Sequence, residues 1–241
     1  MKRILVYLLA VGAMGAPLAA RAVTLDDANA AFAAGKFPES TANYRALLDQ
    51  QGYSAPVLFD LGNSYYREGN FPEAILAYKR ALWLAPNDGD ITANLLAAQR
   101  QAGAVVEKTP AYVKFTSRLS VNDWAWTGCA AWTLLCASLL ARAWLPGQRV
   151  WLTTAGWGCA LALAGAIGAI ILSAGGMREA VVVDKNPAAL ISPFPAAQSV
   201  FTPVPGETVR IEKAYHDFLL IADGTGHSGW MAKNQLEPVV K

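Results

Sequence analysis

Hydrophobic and polar positions change their period twice along the chain. Over residues 25–101 apolar residues recur every three or four positions, the spacing of helices that bury one face. Residues 35–48 laid over 69–82 pair Gly35 with Gly69, Phe37 with Phe71, Pro38 with Pro72 and Glu39 with Glu73. Tyr44/Tyr78 and Leu48/Leu82 follow, all at an offset of 34. A third segment, Asp90–Gln101, holds one helix's worth of pattern (Ile91, Leu95, Leu96) and stops. It reads as a capping helix that turns a polar face to water. Helical amphipathicity then gives way to two uncharged runs, Trp124–Leu140 and Val150–Gly175. After Arg178-Glu179 come short β-rich runs, Ala180–Val183, Ala189–Ile191, Thr208–Ile211, Phe218–Ile221 and Gly229–Met231, separated by Pro, Gly, Asn and Asp.

The two uncharged runs predict transmembrane helices over 124–143 and 150–175, joined by a turn at 144–149. At 1.5 Å per residue they extend about 25 and 39 Å, against about 30 Å of hydrocarbon. Trp124, Trp126, Trp144 and Trp151 sit near their ends, where interfacial anchors belong. Arg142 and Arg149 flank the Pro146-Gly147 turn and place it in the cytoplasm. Both flanking domains then lie on the exported side. Lys2 and Arg3 before the apolar run 4–16, with Ala20-Arg21-Ala22 beyond it, make residues 1–22 a signal peptide, with an uncleaved anchor as the alternative. Gly156, Ala160, Ala164 and Gly168 form a small-residue ridge for helix packing, with the first span as its nearest partner.

Composition agrees with a membrane chain: 54% hydrophobic and only 16% charged, where soluble domains carry about 25% charged residues. The formal charge of +2 includes Lys2, Arg3 and Arg21; without residues 1–22, 17 basic residues face 18 acidic ones. Nothing in that balance suggests nucleic acid. Cys129, Cys136 and Cys159 all fall inside the apolar runs and read as packing residues. No nucleophile elbow, zinc-protease motif, phosphate loop or dinucleotide fingerprint occurs. The expectation is a protein that is not an enzyme and takes no cofactor or metal.

The 34-residue period, with Leu58, Leu61-Gly62, Tyr65, Ala74, Tyr78, Ala81 and Pro86, resembles the tetratricopeptide repeat. Gly62 and Ala74 would let two helices cross closely, Tyr65 and Tyr78 would fill the space between hairpins, and Asn70 would cap the following helix. Residues 23–102 are therefore expected to form an all-α repeat array, and 103–123 a juxtamembrane linker. The family's inner-face positions fall on Asn29, Phe32, Asn63, Tyr66 and Arg67, which implies a peptide-docking groove. The alternative is a solvated helix face.

Over 176–241 the succession ALISPFPA, PGETVRI, FLLIADG and SGWMAKNQLEPV resembles a bacterial SH3-like domain, a small all-β barrel. The resemblance implies a ligand face at Phe194, Tyr215, His216, Phe218 and Trp230; against it, Phe218 and Trp230 read as core. The whole order, with P-N-D-G-D-I-T-A-N-L over Pro86–Leu95 and S-V-N-D-W-A-W before the first span, is similar to the E-type proteins of the bacterial aerotolerance (Bat) group. That family implies partners: von Willebrand A-type membrane proteins and a MoxR-type ATPase. The expected function is a non-catalytic inner-membrane scaffold that contacts proteins and lipid, linked to envelope or oxidative stress. Alternatives are peptidoglycan binding through the β domain and an envelope assembly factor that holds unfolded clients.

Overall fold

A computed structural model describes residues 23–105, 116, 119–173 and 178–240. The expected signal peptide, and Lys108, Lys114 and Arg118 of the linker, lie outside the described residues.

The chain opens as antiparallel helix pairs: α1 (Leu25–Ala33) with α2 (Phe37–Gln51), and α3 (Ala55–Arg67) with α4 (Phe71–Leu84). Helix α5 (Gly89–Ala102) follows. Thr24 starts α1 through a capping box with Asp27, which explains the acidic pair there. Asn70 precedes α4 without donating or accepting a side-chain cap bond, contrary to the sequence expectation. The preceding turn already positions it: Gly69 sits at φ 76°, and Asn70 N–H returns to Tyr65 O at 2.9 Å. Gly35 and Gly103 repeat this at φ 73° and 69°. All three are spaced by 34, so α5 ends in register with α1 and α3.

Packing between pairs follows the small residues. A Cβ on Gly62 would lie 2.5 Å from the Tyr78 ring, so α3 and α4 approach this closely only because the methyl is missing. Ser40 replaces the Ala74 of the second pair and is fully buried. Its hydroxyl lies 3.1 Å from both Ala28 O and Ser64 Oγ, which satisfies the polar group.

Two long helices come next, α6 (Val121–Trp144) and α7 (Arg149–Ser173), joined by a 3₁₀ turn at Pro146–Gln148. α6 begins three residues before the uncharged run because Ser120 and Asp123 form a second capping box. Both helices are long and apolar enough to cross a membrane. Only 11% and 17% of their most apolar windows is covered within the chain, so neither is wrapped in protein as a soluble core helix would be. Against each other they use Ala131, Gly156, Ala166 and Ala169, all buried. A Cβ on Gly156 would stand 3.2 Å from Ser138 Oγ. The rest of the expected ridge turns away: Ala164 is exposed, Ala160 is half-buried, and a Cβ on Gly168 would meet nothing within 4 Å. A seam between antiparallel helices drifts off a strict four-residue spacing, which tracks around the helix.

The C-terminal part is an antiparallel sheet of β1 (Glu179–Val182), β2 (Ala189–Leu190), β3 (Ser199–Phe201), β4 (Thr208–Tyr215), β5 (Phe218–Ala222), β6 (Ser228–Ala232) and β7 (Leu236–Pro238). Its order is β3-β2-β6-β5-β4-β1-β7. Two strands, β3 and β7, and the outer half of β4 go beyond the runs read from sequence. The inner core is Ala180, Val182, Ala189, Val209, Ile221, Met231 and Leu236. Phe218 and Trp230 belong to neither core cluster, which corrects the core reading of those two rings. Alternation decides it: Gly229 and Met231 point inward, so Trp230 between them points out.

One side of the sheet joins the hydrophobic core of the helices. Val181 and Val239 are buried in the same cluster as Ile75, Tyr78 and Ala98. Gly206, at φ 90°, enters so closely that a Cβ would be 2.8 Å from Ile75 and 3.2 Å from Ala102. Lys79 Nζ meets Glu179 at 2.7 Å and Arg80 meets Glu237 at 2.7 Å. Arg80 also donates to the carbonyls of Pro238 and Val239 at 2.8 and 3.3 Å. Helix α5 is therefore not a free polar end, as the sequence suggested; the β1–β7 edge covers α4 and the end of α5.

Gly62→Ala is expected to lower stability by about 1–3 kcal/mol through the clash with Tyr78. Chemical denaturation of the full chain in detergent measures it. An unchanged midpoint would mean that α3 and α4 are less closely packed than described.

Candidate functional site

The inner face of the array is formed by α1, α3 and α5. Phe32, Asn63, Tyr66, Arg67, Tyr78, Asn94 and Ala97 surround a cavity of about 270 Å³. Four of the five residues matched from the repeat family are thus brought together. Asn29 stands outside that lining and is exposed. Tyr78, Asn94 and Ala97 are added by the structure. Ala97 lies 34 residues after Asn63, and Asn94 precedes it by one helical turn, so the period held a signal for this face.

The same small set of contacts holds this surface twice. Tyr44 Oη donates to Asn29 Oδ1 at 2.6 Å, and Tyr78 Oη donates to Asn63 Oδ1 at 2.8 Å. Phe32 packs edge-on against Phe37, and Tyr66 against Phe71, both with centroids 5.5 Å apart. Burial pushes the Tyr44 phenol up to about 12, with the Asp60 charge adding to it. Burial pushes Tyr78 up as well. Both phenols remain protonated donors across the physiological range.

This arrangement changes what the asparagines offer. Asn63 Oδ1 also accepts from Asn94 Nδ2 at 2.9 Å, so its acceptor is committed to the protein. Its amide N–H₂ donates to the Asp60 carboxylate, which leaves one N–H of the group to meet a ligand. Arg67 places its guanidinium 4.6 Å over the Phe37 ring, which holds a cation at the rim. The lining is thus aromatic, with two amides and one guanidinium at its polar positions. Such a surface suits an extended chain that presents carbonyl or carboxylate oxygens and one apolar side chain.

A second, polar crevice of about 170 Å³ opens where the array meets the sheet. Arg45, Asp49, Tyr65, Glu73, Arg80 and Glu237 are among its lining residues. Burial pushes the Glu73 carboxyl above its usual value and the Glu237 charge adds to that, while Arg45 and Arg80 oppose it.

On the sheet, Phe194 and Tyr215 are exposed, and Phe218 and Trp230 are half-buried on the outer surface. Tyr215 and Trp230 approach edge-on at 6.3 Å, and His216 packs against Tyr215 at 4.5 Å. His216, at φ 46°, occupies the two-residue turn between β4 and β5. His227 belongs to a closed loop motif, its Nδ1 2.9 Å from Asp223. Burial raises the Asp223 carboxyl, but bonds from Thr225 and His227 outweigh it and hold the value at about 2. Among the described residues no His, Cys, Asp and Glu group is arranged to hold a metal.

Comparison with known families agrees with the array: the tetratricopeptide repeat model matches residues 55–88, the segment running from α3 through α4. A search of curated proteins gave no match. The chain contains a repeat of the kind that mediates protein–protein contacts.

Acidification tests the crevice. A carboxyl whose folded pKa is raised costs stability while ionised, and that cost is removed as pH falls through the folded value. The melting temperature should therefore gain from Glu73 neutralisation as pH falls from neutral toward the ordinary glutamate value of 4.5. Glu73→Gln should remove that part of the rise. Parallel pH profiles for the two proteins would show Glu73 to be solvated instead.

Proposed function

We propose that this protein is a non-catalytic membrane scaffold whose helical array docks an extended segment of a partner protein. The observation that carries the reading is the inner-face cavity, which Phe32, Tyr66 and Tyr78 line together with Asn63 and Asn94. Rings fixed by edge contacts and amides fixed by buried phenols lose little freedom on binding, which favours recognition.

In this reading α6 and α7 cross the bilayer, with the arginine-flanked turn in the cytoplasm and both other domains on the periplasmic side of a bacterial inner membrane. The shared core of array and sheet supports that topology, since two domains packed together must occupy one side. The resemblance to the aerotolerance group supports partners of two kinds, von Willebrand A-type membrane proteins and a MoxR-type ATPase complex. The turn between the spans is short, so an ATPase on the cytoplasmic side would be reached through such membrane partners.

In-cell photocrosslinking from an aromatic probe at Tyr66 tests the groove. Adducts to a discrete membrane protein are expected. They should fall about tenfold in Asn63→Asp, which keeps the acceptor for Tyr78 and replaces the amide donor with a carboxylate beside Asp60. Adducts indifferent to Asn63→Asp would contradict the docking role.

A further inference from the structure

We infer that the outer face of the sheet rests on the bilayer surface, with lipid phosphate as the group it recognises. This rests on the reading of α6 and α7 as membrane spans. Strand register defines the face. Trp230 lies opposite both Leu220 and Leu190, and Leu220 lies opposite Lys213. The next row is Tyr215, Phe218 and Ala232; the row on the other side is Arg210, Ala222 and Ser228. An apolar and aromatic centre is therefore bordered along β4 by Arg210 and Lys213, both exposed. Just beyond β2 the chain leaves Ile191 and Phe194 69% and 60% exposed.

Three features select a lipid surface as the occupant. Five residues separate Ser173 at the end of α7 from Glu179 at the start of β1. Even fully extended, that tether reaches about 20 Å, which keeps the sheet beside the headgroups. Tryptophan and tyrosine favour that depth because each joins an apolar body to a polar tip. Lys213, and Arg210 with Glu179 as its cross-strand neighbour, supply the positive groups that anionic headgroups attract. The helical array covers the opposite end of the same curved sheet, through β1 and β7, and leaves this end uncovered by it.

The test uses the full chain with Cys129, Cys136 and Cys159 replaced by alanine. Single cysteines at Phe194, Trp132 or Gln50 carry an environment-sensitive fluorophore. The protein is reconstituted into phosphatidylcholine vesicles with and without phosphatidylglycerol, containing a headgroup-level quencher lipid or, separately, a chain-level one. The headgroup-level quencher is expected to quench the label at 194, more strongly with phosphatidylglycerol. The chain-level quencher should reach 132, and neither should reach 50. The double change R210E/K213E should abolish quenching at 194 and leave 132 unaltered. An unquenched 194 beside a quenched 132 would overturn the proposal while keeping the spans. An unquenched 132 would remove the membrane reading, and the proposal with it. A label at 194 that responds only to added peptidoglycan fragments would make the face a wall-binding surface and likewise overturn the proposal.

Discussion

A stack of helix pairs always ends in an apolar face that must be covered, and the shape of this molecule follows from how that face is covered. Among the described residues one helix, α5, follows the second pair, and α4 and the end of α5 offer a position for a further neighbour. A sheet edge from the far side of the hairpin takes that position. Val181, Gly206 and Val239 supply the contact, and Arg80 caps the last strand's carbonyls. The apolar burial supplies most of the hold, because Glu179 and Glu237 are more than a third exposed and their ion pairs are screened. Domains far apart in sequence thus become one unit, and the hairpin between them has both ends directed to that unit.

The same helix, α4, also builds the floor of the groove. Its inward-facing Tyr78 reaches Asn63, while its outward-facing Ile75, Lys79 and Arg80 carry the sheet. The groove's orientation of donors is consequently a property of packing rather than of flexible surface side chains. A buried phenol that must donate somewhere selects the carbonyl of its asparagine, and the amide of Asn63 turns to the Asp60 carboxylate.

Much of this was legible in the pattern of residues. The 34-residue offset placed the helix pairs, and the uncharged runs placed the two long helices to within a few residues. Gly103 was equally in register, yet it went unread because the apolar pattern of the third segment stops after one helix's worth of residues. Asn94 escaped for the same reason. The direction of the Asn63 carbonyl depends on Tyr78, fifteen residues away along the chain, and no local pattern reports it. Phe218 and Trp230 were misjudged as core because size suggested burial, whereas Gly229 and Met231 already showed which way the strand alternates. The joining of sheet to array depends on contacts between residues more than a hundred positions apart, such as Lys79 and Glu179. Sequence periodicity carries no trace of such contacts.

Array and sheet pack as one unit, and chemical crosslinking measures that directly. With the native cysteines replaced by alanine, Lys79→Cys and Glu179→Cys are combined in the full chain and treated with a short bis-maleimide in native membranes. The account predicts an internal crosslink seen as a mobility shift, absent when either cysteine is present alone. Full labelling of both single cysteines with no crosslink in the pair would contradict it.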